Sequence, residues 1–323
     1  MYRFSMAIIL TNCTNRKRGS ATSGLTMGDL TPGVLDNVAK QWLDQLGKAS
    51  SENLAREVYC GRSFREADAT AAFLRCPLYI VSAGLGIVSS TRLIPVYNFT
   101  IISGIANSAA SRITGSFLVT SWWSRIVRGS PFGTSLIHTL EQHSEGLILI
   151  ALSRQYVQLL QEELANLRGD QQRRLRFFGK LLPVLPDSLA GNWMPYDDRL
   201  DCIGSGFSGT QSDFAQRALR HFVTELLSKD ADGDGDVHTH RTMVLDSLST
   251  IGRREMPKRK RLSDDEIYNA IRDNWAEGRG QSSALLRIIR HKLGIACEQS
   301  RFRTIYHSVK KIMEGADEAK QYK

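Results

Sequence analysis

Three stretches of the chain, at positions 6–10, 78–81 and 146–152, are continuously apolar rather than alternating, and a shorter run spans 174–178. Uninterrupted apolar runs of this length are the pattern of strands buried on both faces of a parallel sheet. Each stops abruptly. The first gives way to Thr11 and Asn12 and then to a basic loop with Arg16 and Lys17; the second to Ser82, Ala83, Gly84 and Gly86; the third to Ser153 and Arg154; the fourth to Gly179. Between the runs lie segments with helical spacing, at 66–74 and at 155–167, the latter through Val157, Leu159, Leu160 and Leu164. Strands separated by helices predict βαβ units with right-handed crossovers. The expected fold is α/β, with a central, mostly parallel sheet flanked by helices.

The period changes towards the end of the chain. Ser263 and Glu266 form a capping-box pattern ahead of Ile267, Ile271 and Trp275, which recur every four residues. Ser282 or Ser283 then precedes Leu285, Leu286, Ile289 and Leu293, with Gly294 placed as a terminator. A third helix is predicted from about 298 to 313. There Phe302, Ile305, Tyr306, Val309 and Ile312 share a face, while Gln299, Arg301, Arg303, Lys310 and Lys311 fall largely off it. This pattern predicts an all-helical module of helix-turn-helix type at 263–323, joined by an acidic then basic linker at 229–262 to an α/β domain at 1–228.

Composition narrows the partners. Of 323 residues 42% are hydrophobic, and the formal net charge is +9. A balance this basic favours a polyanionic partner. The charge is concentrated in the run 252–261, with Lys258, Arg259, Lys260 and Arg261, and in the helices that follow. Double-stranded DNA is the expected partner, contacted by these four residues and by Arg16, Lys17, Arg301, Arg303 and Lys310. No apolar run approaches the roughly 20 residues of a membrane helix, and no cleavage site follows the first apolar stretch, so a cytoplasmic protein without a membrane partner is expected. The five cysteines are widely spaced and include no C-x-x-C pair, which argues against a disulfide framework or a zinc knuckle. Asp230, Asp232, Asp234, Gly235 and Asp236 match the first half of a calcium loop, but Arg241 stands where a bidentate glutamate is needed. The segment is read as linker, with His238 and His240 lacking further ligands, and no metal is expected.

Ligands of open α/β sheets lie beyond the carboxyl ends of the strands, so candidate chemistry is sought there. The small residues Ser82, Ala83, Gly84 and Gly86 let a flat ligand approach main-chain amides. Tyr59 and Arg62 flank Gly61 ahead of a helix, and Tyr97 and Asn98 lie in an extended segment at 94–100. Asp197, Asp198 and Asp213 border a glycine- and serine-rich loop, with Arg217 four residues after Asp213 and placed to pair with it.

The N-terminal strand ending in a polar, basic loop, the pattern Tyr59-x-Gly61-x-x-Phe64, the strand end Ser82-Ala83-x-x-Gly86 and the later Tyr97 together resemble the YaaA-like group, which has distant kinship of fold with the uracil-DNA glycosylases. The resemblance covers about residues 5–225. With its basic C-terminal module, the whole chain is similar to the bacteriophage-replication-inhibiting DNA glycosylases of anti-phage defence. That likeness implies a uracil-DNA-glycosylase-like fold and an N-glycosidic bond hydrolase that excises α-glucosyl-hydroxymethylcytosine from T-even phage DNA, leaving abasic sites. Neither the Gly-Gln-Asp-Pro-Tyr nor the His-Pro-Ser motif of uracil glycosylases occurs, so uracil specificity does not carry over. Hydrolysis of an N-glycosidic bond builds positive charge on the sugar and negative charge on the departing base. Asp198 or Asp213 suits the sugar, and Asn12 suits water or the base. Tyr59 or Tyr97 would stack on a base turned out of the duplex, Arg62 would grip a phosphate, and the amides of residues 83–86 would meet the base edge. Asn98, Ser82 and Ser153 are candidate linings for a hydroxyl-rich glucosyl group. No metal or nucleotide cofactor is required. Two other readings stay open: a non-catalytic DNA-binding regulator, and a nucleoside hydrolase or transglycosylase acting on RNA or free nucleosides.

Overall fold

A computed structural model describes residues 7–22, 24–102, 104, 107–204, 206–229, 235–253 and 259–321, with side chains described as far as Met313. The chain divides into two compact units, Met1–Arg253 and Arg254–Lys323, each with an apolar core of its own.

The first unit is built on a five-stranded sheet. Its strands are β1 (Ile8–Asn12), β2 (Leu78–Ser82), β3 (Gly86–Ser89), β4 (Ile148–Ala151) and β5 (Leu175–Phe178), in the order β3-β2-β1-β4-β5. The four apolar runs become the four parallel strands β2, β1, β4 and β5; β3 is antiparallel to β2. Helices flank the sheet, and Ile8, Ile9, Leu10, Ile148, Leu149 and Ile150 are fully enclosed, which is why these strands carry no polar alternation. From β1 the chain moves to one side to make β2 and β3, then returns past β1 to make β4 and β5. The direction of winding therefore reverses between β1 and β4. The crevice outside the carboxyl ends at such a reversal is where open α/β sheets bind ligands.

The turn at 82–86 is not an open rim. It is the tight connection of the β2–β3 hairpin, and all five of its residues are buried. Several of its polar groups are already used: the Leu85 amide donates to Ser82 Oγ at 3.1 Å, Trp42 Nε1 donates to the Gly84 carbonyl at 2.7 Å, and Trp122 Nε1 to the Ala83 carbonyl at 2.8 Å. A Cβ on Gly84 would stand 3.2 Å from the Tyr97 ring and 3.3 Å from Trp42. A side chain at Gly84 would crowd these rings, and the space expected for a ligand is filled by side chains from distant parts of the chain.

On the other side of the turn, Ile87 and Thr134 exchange backbone hydrogen bonds of 2.8 and 2.9 Å. This pairing presses Gly133 so close that a Cβ there would lie 2.3 Å from the Leu85 carbonyl oxygen and 2.8 Å from the Gly86 carbonyl carbon. Backbone cannot rotate away as a flexible side chain can. Gly133→Ala is expected to destabilise the first unit by about 1–3 kcal/mol, an overpacking cost, read as a lower urea midpoint. A midpoint equal to that of the parent would contradict this packing.

Other segments depart from expectation. The helix predicted over 155–167 is divided at Leu160 into Arg154–Leu159 and Gln161–Ala165. In the second piece Glu163 accepts from Trp123 Nε1 at 2.5 Å and from the Ile137 amide at 3.0 Å. The expected linker contributes a helix, Val237–Ser249, whose His240, Val244 and Leu248 are buried. There β5 carries Arg176, 1% exposed. Arg176 donates to His240 Nδ1 at 2.8 Å and to the carbonyls of Arg173, Leu175 and Gly235 at 2.8, 2.8 and 3.0 Å. Burial pushes the Arg176 guanidinium down to about 10, with Asp236 opposing. Asp236 caps the helix by accepting from the Thr239 amide at 2.7 Å; Asp230, Asp232 and Asp234 lie outside the described residues.

The second unit holds helices Asp264–Asp273, Ser282–Arg287 with a π-helical extension to Lys292, and Gln299–Gln321. The capping box at Ser263 and Glu266 is formed, and Gly294 is left-handed at φ +62° after the second helix. Trp275, Tyr306 and Phe302 stack in series, with centroids 5.6 and 5.9 Å apart. Ile312 differs from its expected place on the buried face, being 58% exposed.

Candidate functional site

A cavity of about 350 Å³ opens at the reversal point, lined by Asn12 from β1, Leu152, Ser153 and Arg154 after β4, Gly179, Lys180 and Leu181 after β5, and Gln211, Ser212, Phe214, Ala215 and Gln216. Its size is within the usual range of small-molecule sites. No carboxylate is among its lining residues.

Asn12 and Gln216 form the floor. Asn12 Oδ1 accepts from the Ser153 amide and from Gln216 Nε2, both at 3.3 Å, and its Nδ2 donates to the Cys13 carbonyl at 3.0 Å. One Nδ2 hydrogen of Asn12 remains to be offered to a ligand. Gln216 Nε2 also donates to the Ala151 carbonyl at 2.9 Å and to Thr11 Oγ1 at 3.1 Å. A carbonyl can only accept, so this contact decides which end of the Gln216 amide is nitrogen. Gln216 Oε1 is then left buried and without a hydrogen-bond partner among the described residues.

The walls are basic. Arg154, an exposed residue, donates from Nε to the Lys180 carbonyl at 2.7 Å. The Lys180 ammonium stands 5.3 Å from the centroid of the Phe214 ring and pairs with Asp198 at 2.6 Å. Phe214, Ala215 and Gln216 begin the helix Phe214–His221, whose amino end favours negative charge.

Of the candidate catalytic residues, Asn12 lines this cavity, and Asp198, half-exposed, is tied to its wall through Lys180. Asp213 is not among the lining residues. Its side chain is 2% exposed and lies between Arg217, 2.8 Å from Oδ1, and Arg62, 3.0 Å from Oδ2. Its Oδ1 also accepts from the Thr210 amide at 2.8 Å. Arg217, fully buried, pairs in addition with Asp201 at 2.6 Å and donates to the carbonyls of Thr210 and Phe207. Asp213 is thereby a partner of arginines that organise the 201–210 loop, and Arg62 is held by that carboxylate and by the Ser208 carbonyl.

Ser153 lines the cavity, but the remaining candidates do not gather there. Tyr59 and Tyr97 are buried side by side, their hydroxyls 2.7 Å apart, and Tyr97 meets Ser82 Oγ at 2.6 Å. Burial raises both phenol pKa values. Neither ring is free to stack on a base. Asn98 is exposed, in a different part of the unit, where its backbone pairs with Leu25 and Met27. Arg16 is exposed on the loop after β1, and Lys17 lies over the Tyr97 ring.

In the second unit Lys260, Arg261 and Arg303 are exposed. Arg301 instead pairs with Asp264 and donates to the Leu262 carbonyl, and Arg259 donates to the Arg290 carbonyl at 2.9 Å. Lys310 is partly buried, and Lys258 lies outside the described residues.

Gln216, Lys180, Arg154 and Phe214 were not candidates from sequence. Lys180 was within reach of the strand-end rule, since it follows the Gly179 that stops an apolar run. Gln216, the third residue of its helix, has no local signal. Comparison with protein-family models, with curated proteins and with solved structures returns no match to this chain.

Proposed function

We propose that the chain is a DNA glycosylase that turns a modified cytosine out of the duplex and hydrolyses its N-glycosidic bond. The observation that carries this reading is the cavity at the sheet's reversal point, in which amide groups of Asn12 and Gln216 meet the cations of Lys180 and Arg154 without any lining carboxylate. Such a lining suits a planar polar group that leaves as an anion. Gln216 Oε1, which has no hydrogen-bond partner among the described residues, accepts from an exocyclic amino group, as cytosine carries, and Asn12 Nδ2 donates to a ring carbonyl. Lys180 and the amino end of the helix at Phe214 stabilise charge developing on the departing base, an effect worth several kcal/mol where water is excluded. Phe214 provides the apolar wall in place of Tyr59 and Tyr97. Asp198, held by Lys180, serves the cationic sugar; Asp213 positions the loop.

In this reading the first unit has a uracil-DNA-glycosylase-like architecture, and the second is a helix-turn-helix-like module whose Lys260, Arg261 and Arg303 contact phosphates of double-stranded DNA. The resemblance to anti-phage glycosylases points to α-glucosyl-hydroxymethylcytosine of T-even phage DNA and to action in the cytoplasm.

Incubating the full chain with T-even phage DNA and with unmodified DNA, followed by alkaline cleavage, tests the proposal. Breaks confined to the modified DNA are expected. Equal breakage of both would overturn the modified-base specificity, and no breakage of either would overturn the glycosylase reading.

A further inference from the structure

Lys17 lies just past the carboxyl end of β1, where its backbone bridges to Tyr59. Its Nζ is 4.3 Å from the Tyr97 ring centroid and 6.0 Å from that of Tyr59. The phenol hydroxyls of these rings are engaged with each other and with Ser82. Among the described residues no carboxylate pairs with the amine and no hydrogen bond holds it. An ammonium normally has one or the other, so this is an unusual setting for a lysine that is not fully exposed. Burial lowers its pKa, against the opposing influence of the Cys13 and Cys60 thiols, and a desolvated lysine has more of the neutral, nucleophilic form.

Its place matters as much as its chemistry. Asn12, on the cavity floor, is in register with Val81 of β2, and Ser82 beneath the tyrosine pair is the next residue of that strand. Neighbouring strands are about 4.8 Å apart, and Lys17, although not a lining residue, follows β1 at the end of the sheet where Asn12 lines the cavity.

We propose that Lys17 is an imine-forming amine that captures the aldehyde of an abasic sugar and gives the protein a strand-cleaving lyase activity. This rests on the glycosylase reading, because the abasic sugar is its product. The lysine nitrogen adds to C1′ of the ring-opened sugar, a C–N bond forms, and the carbonyl oxygen departs as water. The C2′ proton passes to water, its electron pair forms a C1′–C2′ double bond and the C=N pair moves onto nitrogen; nitrogen then re-forms the imine, the C1′–C2′ pair shifts to C2′–C3′, and the C3′–O bond breaks to release the phosphate-terminated strand. Hydrolysis returns the free amine, with no net oxidation or reduction.

The test uses the full chain, a duplex in which a single abasic site has been prepared beforehand by another enzyme, and cyanoborohydride to reduce the imine. A covalent protein–DNA adduct is expected on a denaturing gel, reduced at least about tenfold in Lys17→Arg, which keeps the charge but cannot form the imine. Peptide mapping of the parent adduct should place the sugar remnant on Lys17, a readout that does not depend on the variant folding. No adduct above that of a tetrahydrofuran-site control, an undiminished adduct in Lys17→Arg, or a remnant on another lysine would overturn the proposal. The prepared site bypasses base excision, so failure here leaves the glycosylase reading standing, and failure to excise from phage DNA leaves this result unchanged.

Discussion

Arg217→Met is expected to lower the free energy of unfolding by about 3–5 kcal/mol, the range for removing one partner of a buried ion pair. The guanidinium is fully enclosed and meets two carboxylates, Asp213 at 2.8 Å and Asp201 at 2.6 Å. Its removal leaves the Asp213 carboxylate inside the protein with Arg62 as its remaining cation, on Oδ2 at 3.0 Å. Arg62 is half-exposed, so it offsets only part of the loss. The 201–210 loop also loses its attachment through the Phe207 and Thr210 carbonyls, and it should become a site of early proteolysis. The close fit explains Gly209, where a Cβ would stand 2.3 Å from Arg217 Nε. Urea denaturation gives the difference directly. The double variant Arg217→Met with Asp213→Leu should be more stable than Arg217→Met alone, because the fully enclosed Asp213 charge is then gone and only Asp201, which is partly exposed, is left without its arginine. A loss below about 1 kcal/mol in the single variant would mean that the pair behaves like an exposed one.

The second large effect is on activity. Asn12→Ala is expected to slow base release about 10²–10³-fold, the usual consequence of removing one preorganised donor from a site of charge development. Two roles of the side chain can be separated. Its Oδ1 receives the Ser153 amide and Gln216 Nε2, which shapes the floor; its Nδ2 retains a hydrogen for the ligand. Asn12→Asp keeps the accepting role and loses the donating one. If donation is what matters, Asn12→Asp should be as slow as Asn12→Ala in the phage-DNA cleavage assay, with some loss of melting temperature from the missing bond to the Cys13 carbonyl. Near-parental activity in Asn12→Asp would reduce Asn12 to a residue that positions Gln216.

The site also indicates why a carboxylate is an unreliable guide on its own. Asp213 has the spacing of a helix-start residue paired with Arg217, and that pair is what forms. Asp198, by contrast, is tied to the cavity wall by Lys180, which follows β5 and stands 18 positions earlier in the chain.

Local pattern alone was sufficient for the strands at 8–12, 78–82, 148–151 and 175–178, for their mostly parallel pairing, and for the helix capped at Ser263; the second helix begins after Gln281 without the side-chain cap expected from Ser282 or Ser283. These depend on hydrophobic period, capping chemistry and the handedness of crossovers, which act over a few residues or one βαβ unit. Where the cavity lies was decided only in three dimensions. An apolar run ending in small residues looks the same whether its end is open or covered. Trp42 and Trp122 close the end of β2 by donating to Gly84 and Ala83. The reversal of winding leaves the ends of β1 and β4 uncovered, and Gln216 reaches Thr11 there from 205 positions away. Burial is set by what each residue is, but the vacancy at one strand end rather than another is set by which distant side chains arrive to fill it.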